Sequence, residues 1–169
     1  MGEAGIIPPD ARVELIDGEI LEMSPIGRRH NAHVDRLAAR FFSAVNGRAI
    51  VRGQGSIALG DDGEPEPDLV LLRPRDDFYD GTDATADAIL LLIEVADSSE
   101  AYDRLTKTPM YARHGIPELW LVDLNRGLVT VSCDPSPAGY QTVRVYRRGE
   151  PITPQAFPDI VVAINEILT

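Results

Sequence analysis

Three nearly continuous apolar runs constrain the fold of this chain more than any other feature of its sequence. They occupy residues 69–72, 89–95 and 118–123. Runs of this length, with no regular polar alternation, are typical of strands that are buried on both faces of a sheet. We therefore predict an α/β (α+β) fold in which helices flank a mixed central β-sheet.

The segment before the first of these runs predicts a β-hairpin followed by a helix. Residues 13–16 and 19–23 alternate apolar and polar side chains around Asp17-Gly18, a pair that favours a tight hairpin turn. Apolar residues then recur at helical spacing through residues 28–45, and Asn46-Gly47 is a natural stop. We expect one domain over residues 1–169, with residues 1–10 as a loose N-terminal arm.

The remaining pattern predicts further strands and a second helix. Short strands are expected at residues 49–52, 56–59, 128–133 and 141–146, and a strand or short helix is expected within 157–168. The second helix should span residues 99–114. Because Pro109 is poorly tolerated inside a helix, either a kink or a later start near Thr106 is compatible with the sequence.

Composition excludes several classes of protein. Cys133 is the only cysteine, so the chain can form neither an internal disulfide nor a thiolate zinc site. No apolar run approaches the roughly 20 residues that a membrane helix needs. The first ten residues lack the basic start and apolar centre of a secretory signal, so we expect a cytoplasmic protein with no membrane partner.

The charge of the chain argues against a simple electrostatic DNA binder. Its formal net charge is −11, and duplex DNA is itself a dense polyanion. Cations bound at a cluster of carboxylates would neutralise part of this charge.

Two acidic residues stand at the ends of predicted buried strands. Asp68 begins one run and Glu94 lies near the end of another. Burying an ionised carboxylate is costly unless it is paired or binds a metal ion, and two carboxylates with water suit Mg²⁺. The alternative is that both acids are exposed at strand ends or paired with arginine.

Other candidate residues have equally plain structural explanations. Asp103, Lys107 and Tyr111 are four apart and share one face of a continuous helix, which also fits a surface ion pair. His30 fits either a metal ligand or a satisfied core histidine. Glu14 fits a solvated strand face, and Gln54, between two glycines, fits a turn.

Taken in order along the chain, these residues resemble a known family. The motifs are Glu14-Leu15-Ile16-Asp17-Gly18-Glu19, His30, Pro67-Asp68, Ile93-Glu94-Val95, Asp103-Arg104 with Lys107 and Tyr111, and the run from Gly115 to Asp123. The series is similar to the Uma-two family of "putative restriction endonucleases", within the PD-(D/E)XK nuclease superfamily. The resemblance implies a restriction-endonuclease-like fold and a divalent-metal site for Mg²⁺ or Mn²⁺.

The resemblance also implies a role for each matching residue. Asp68 and Glu94 would be metal ligands and catalytic acids, with the Val95 carbonyl and His30 completing the ligand set. Ala96 stands where the superfamily places its catalytic lysine, and the family pattern implies that Lys107 on the next helix replaces it. Three further residues would support the site, namely Glu14, Asp103 and Tyr111.

Two functions from different classes remain compatible with the sequence. The first is a metal-dependent endonuclease that hydrolyses DNA, acting as a homodimer because enzymes that cut both strands often pair with C₂ symmetry. The second is a catalytically inactive nuclease-fold module for binding or assembly, which Ala96 and the acidic charge favour. RNA or another phosphoester is a further possible substrate.

Overall fold

The computed structural model describes residues 11–23, 25–97 and 101–168. For residues 101–104 it describes the backbone but not the side chains. Its strands and helices, in chain order, are β1 Val13–Ile16, β2 Glu19–Glu22, α1 Arg28–Val45, β3 Ile50–Gly53, β4 Ile57–Ala58, β5 Leu69–Leu72, β6 Ala84–Thr85, β7 Ile89–Ala96, α2 Ala101–Arg113, β8 Glu118–Asp123, β9 Leu128–Ser136, β10 Gly139–Arg147, β11 Pro151–Ile152, β12 Val162–Ala163 and α3 Ile164–Ile167. The expected loose arm at residues 1–10 lies outside the described residues.

Six strands form the predicted mixed central sheet, in the order β10-β9-β8-β7-β5-β3. Strands β7 and β8 are parallel, and α2 connects them along the chain. The other neighbouring pairs are antiparallel. Because a parallel pair needs a crossover connection, the helix between the second and third apolar runs follows from the order of the elements.

The two long helices cover opposite faces of this sheet. Along β7, Leu91, Ile93 and Val95 join the cluster that contains Leu37 and Phe41 of α1. Leu92, on the opposite face, joins Met110 and Tyr111 of α2 in a second cluster. Both faces are therefore buried, which explains why the central runs are apolar without alternation.

The N-terminal hairpin is also confirmed. Strands β1 and β2 pair antiparallel around Asp17 and Gly18, and both turn residues have the positive φ that such a turn requires. Helix α1 ends as predicted, because Asn46 adopts the left-handed conformation, with φ of 46°. Phe42 follows the apolar periodicity of α1 but is 75% exposed, so it lies outside the buried stripe.

The structure excludes one of the two alternatives that the sequence left open for helix α2. It begins at Ala101 and continues through Pro109, so the late start near Thr106 is wrong. Pro109 has no backbone N–H, so the Leu105 carbonyl, four residues earlier, lacks its usual helical hydrogen bond. Leu105 is exposed, so water can reach this end of the missing bond. None of the helices in the described ranges is long and apolar enough to span a membrane.

A buried glutamate at the start of β8 makes stability depend on pH. Glu118 accepts hydrogen bonds from Trp120 Nε1 and from the backbone N–H of Gln155, each at 2.7 Å. Burial raises the pKa of its carboxyl above the usual 4.5. Its stabilising contribution is therefore full below that pH and is lost as the pH rises through the folded-state pKa.

We expect Glu118→Gln to remove this dependence. The free energy of unfolding of the variant, minus that of the wild type, should increase as the pH rises from 4.5 towards neutrality. Urea unfolding at several pH values measures this difference. Asp159→Asn is the control of opposite sign, because the Arg48 guanidinium lowers the pKa of Asp159. A pH-independent difference for Glu118→Gln would contradict the prediction.

Candidate active site

Neighbouring strands bring Asp68 and Glu94 together. Strand β5 pairs antiparallel with β7, with Leu69 opposite Ile93, and the same register places Asp68 opposite Glu94. Both residues are buried, since Asp68 is 5% exposed and Glu94 is 1% exposed. The Asp68 N–H lies 3.4 Å from Glu94 Oε2, and Asp68 Oδ2 accepts the Val95 N–H at 2.7 Å.

Lys107 of α2 reaches these acids from the covering helix. Its Nζ donates to Glu14 Oε1 at 2.6 Å and lies 3.6 Å from Glu94 Oε1. Lys107 is only 6% exposed, so the surface ion pair that its spacing allowed is wrong. The side chain of Asp103, its expected partner, lies outside the described residues.

Glu14 is part of the same cluster. The interpretation as a solvated strand face is wrong, because Glu14 is only 7% exposed. Its Oε1 also accepts the backbone N–H of Glu66 at 2.7 Å. The hairpin therefore carries a carboxylate inward to Lys107, and this contact joins the N-terminal strands to α2.

Tyr111 and His30 complete the cluster from the two helices. The Tyr111 hydroxyl donates to Glu94 Oε1 at 2.7 Å, so Lys107 and Tyr111 share the inward face of α2. His30 Nε2 lies 3.0 Å from Asp68 Oδ1, and His30 is 1% exposed. The structure thus brings together Glu14, His30, Asp68, Glu94, Lys107 and Tyr111.

Among the described side chains of this cluster, negative charges outnumber positive ones. Three carboxylates (Glu14, Asp68 and Glu94) face one ammonium group on Lys107, which leaves −2 with a neutral imidazole and −1 with a protonated one. An excess of buried negative charge is unstable in a low-dielectric interior unless a cation offsets it.

The donor set fits a hard divalent cation. Carboxylate and carbonyl oxygens of Asp68, Glu94 and Val95 are ligands of the kind that Mg²⁺ takes, and Mg²⁺ keeps several waters. Within the described ranges, no three side chains of His, Cys, Asp or Glu are arranged to hold an ion by themselves. The fit therefore rests on two carboxylates supplemented by backbone, water or substrate oxygens.

A groove opens beside the cluster, and its lining was not predicted. The groove has a volume of about 850 Å³ and is lined in part by Arg12, Asn31, Gln54 and Glu66. Gln54 adopts φ of 49°, and its N–H donates to the Asp68 carbonyl at 3.2 Å. The turn expected at Gly53-Gln54-Gly55 therefore holds the backbone of a site residue, and the flanking glycines were its only signal.

A mixed sheet that presents two acids from neighbouring strands, with a lysine and a histidine from the flanking helices, defines the restriction-endonuclease-like class of proteins. The chain belongs to the Uma2 family, whose model, described as "Putative restriction endonuclease", matches residues 3–165. The family resemblance of the sequence is thus confirmed, and it supports a nuclease. Enzymes of this class generally use divalent metal ions.

A solved structure shares the fold. It is described as "a putative nuclease belonging to DUF820 from Anabaena variabilis", and it is 20% identical in sequence to this chain. The alignment covers 92% of this chain and 88% of that one, with a TM-score of 0.75. The sequence has no significant match among curated proteins.

Proposed function

We propose that this protein is a divalent-metal-dependent endonuclease that hydrolyses phosphodiester bonds in DNA. The observation that carries the proposal is the meeting of two buried carboxylates, from the ends of β5 and β7, beside a lysine that is also buried. Buried carboxylates and lysines that meet in this way are typical of active sites.

In this proposal Asp68 and Glu94 hold Mg²⁺ or Mn²⁺, with the Val95 carbonyl and His30 as further ligands. The bound ion would supply Lewis acidity at the phosphate and a more acidic water molecule. His30 contacts Asp68 directly, so it also orients that carboxylate before the ion binds.

Lys107 has the role of stabilising negative charge during hydrolysis. Its ammonium group lies beside Glu94 and is held there by Glu14, so its position is set before substrate binds. The Tyr111 hydroxyl donates to the same Glu94 oxygen and so helps to orient that carboxylate. Asp103, one turn before Lys107, is proposed to support it from the same helix.

An inactive binding or assembly module is the second candidate. Ala96 occupies the superfamily's lysine position, and the chain carries a net charge of −11. We favour the endonuclease, because Lys107 lies 3.6 Å from Glu94 and so provides a cation at the acidic cluster from another element.

The test is a plasmid-nicking assay at low salt. We expect the wild-type protein to convert supercoiled plasmid into nicked or linear DNA with Mg²⁺ or Mn²⁺, and to leave it intact with EDTA. Single-stranded DNA and RNA substrates of equal length separate DNA cleavage from the other phosphoester activities. Metal binding without cleavage of any of these substrates would favour the inactive module.

We further propose that the protein acts as a cytoplasmic homodimer. The chain carries a net charge of −11, and C₂ pairing would let two sites act on the two strands of a duplex. Sedimentation at micromolar protein concentration distinguishes the dimer from a monomer.

A further inference from the structure

The loop between β5 and β6 contains two consecutive bulky residues in an unfavourable backbone conformation. Phe78 has φ of 51° and Tyr79 has φ of 62°. Aromatic residues rarely adopt positive φ, because their Cβ crowds the backbone there. Such a conformation persists only where other contacts impose it.

Tyr79 is held by contacts on several sides. Its hydroxyl donates to the Arg73 carbonyl at 2.8 Å, and its N–H donates to Asp77 Oδ1 at 3.2 Å. The guanidinium groups of Arg75 and Arg52 lie 4.5 Å and 5.5 Å from the centre of its ring. Tyr79 is 7% exposed and packs in the apolar cluster under α2, which accounts for its positive φ.

Phe78, by contrast, belongs to neither apolar cluster of the described residues. Its residue is 68% exposed, although its backbone is fixed by Arg52, whose Nη2 donates to the Phe78 carbonyl at 3.2 Å. The result is a large aromatic side chain displayed to solvent on a rigidly held, unfavourable backbone. The Phe78 N–H donates to the Arg75 carbonyl at 3.1 Å, so the backbone of Phe78 is held at both its N–H and its carbonyl while its ring faces solvent.

The loop lies on the same face of the sheet as the acidic cluster. Arg52 in β3 pairs with Val70 in β5, and Asp68 is two residues from Val70, so both side chains point to one face. Two residues of strand correspond to about 7 Å. Because β3 is the last strand of the six-stranded sheet, the contact of Arg52 with the Phe78 carbonyl places Phe78 near that edge of the sheet.

We propose that Phe78 is a stacking platform for a nucleobase of the bound nucleic acid, close to the phosphodiester that is cut. This inference rests on the proposed nuclease function. Every base has an apolar face that can stack on an aromatic ring, whatever its sequence. Stacking also requires no positive surface, so it provides affinity that an acidic protein cannot obtain from phosphate contacts.

The experiment measures binding of oligonucleotides that contain 2-aminopurine, with Ca²⁺ in place of Mg²⁺. Fluorescence anisotropy reports affinity, and quenching of 2-aminopurine reports stacking. We expect Phe78→Ala to weaken binding about 5- to 150-fold and to abolish the quenching that depends on the protein. We expect Phe78→Trp to preserve both within about threefold.

Two controls isolate stacking from other effects. Phe42→Ala removes a phenylalanine of similar exposure from α1, which covers the opposite face of the sheet, and it should leave binding unchanged. The dependence of affinity on salt should have the same slope in wild type and Phe78→Ala, since no phosphate contact is removed. Quenching with single strands alone identifies an unpaired base, whereas quenching with duplex identifies insertion between base pairs.

The possible failures are distinguishable. If wild type binds no oligonucleotide, the nuclease proposal fails and this inference fails with it. If wild type binds and Phe78→Ala binds equally well, only the stacking platform is overturned. If Phe78→Ala instead converts a dimer into a monomer in sedimentation, Phe78 belongs to a contact between subunits and the inference is also overturned.

Discussion

Asp68→Asn and Glu94→Gln are each expected to lower the rate of metal-dependent nicking by more than about 10³-fold. Loss of even one preorganised charge stabiliser lowers a rate by about 10²–10³-fold. Each substitution replaces a charged oxygen donor with a neutral amide of nearly the same shape. The proposed ion then loses one of only two carboxylate ligands. The measurement is the nicking rate with Mg²⁺ and with Mn²⁺.

A thermal-unfolding experiment on the same variants separates lost chemistry from lost folding. Addition of Mg²⁺ should raise the melting temperature of wild type, because the ion binds the folded state, and should leave both variants unchanged. Without metal, neither variant should be much less stable than wild type, since each removes one carboxylate from a cluster with excess negative charge.

The matched control is Glu118→Gln. This substitution neutralises a buried glutamate on β8 that accepts hydrogen bonds from Trp120 and Gln155, which are not part of the site. It should retain wild-type nicking and wild-type stabilisation by Mg²⁺. Persistent nicking by Asp68→Asn or Glu94→Gln would contradict the assignment of these acids.

Lys107→Met is expected to lower both stability and turnover. It leaves Glu14 and Glu94 buried without their ammonium partner, and breaking a buried pair in this way costs about 3–5 kcal/mol. Loss of the positioned charge should also slow nicking about 10²–10³-fold. Urea unfolding measures the first effect, and nicking at a temperature where the variant remains folded measures the second.

A double substitution separates these two effects. Glu14→Gln combined with Lys107→Met should recover part of the lost stability, because one uncompensated carboxylate is gone, but should recover none of the activity. Lys107→Arg should not restore full turnover, since a planar guanidinium does not fit the buried position of an ammonium group.

Arg113→Met is the control on the same helix. Arg113 forms an exposed ion pair with Asp17, and such pairs contribute about 0–1 kcal/mol. The Arg113→Met variant should therefore nick DNA at the wild-type rate and be nearly as stable as the wild-type protein. Full activity in Lys107→Met would mean that Lys107 does not replace the lysine expected at Ala96.

The central sheet and its two acids could be predicted from local pattern. The run Leu69–Leu72 is buried throughout, as its lack of alternation indicated. Once two such strands pair, an acid at the start of one and near the end of the other must lie close together, as Asp68 and Glu94 do. Helix α1 was equally predictable, because its apolar spacing and its Asn-Gly stop are both local signals.

The participation of Lys107 and His30 could be anticipated only through the family resemblance. The spacing of Lys107 from Tyr111 shows that they share a helix face, but it does not say whether that face meets solvent or the sheet. The short strands β6 and β11 were not predicted, because two-residue strands leave no period to detect.

By itself, the sequence determined the long buried strands, the N-terminal hairpin and helix α1, since each depends on periodicity or on neighbours along the chain. Only the tertiary structure decided that Glu14 faces inward from β1 and is buried against Lys107, 93 residues away in the sequence. It alone also decided that the Phe78 side chain is exposed while Arg52 of β3 holds the Phe78 carbonyl. Both outcomes depend on which surfaces of distant segments pack against each other. Alternation within one strand shows that its two faces differ, but it does not show which part of the protein covers each face.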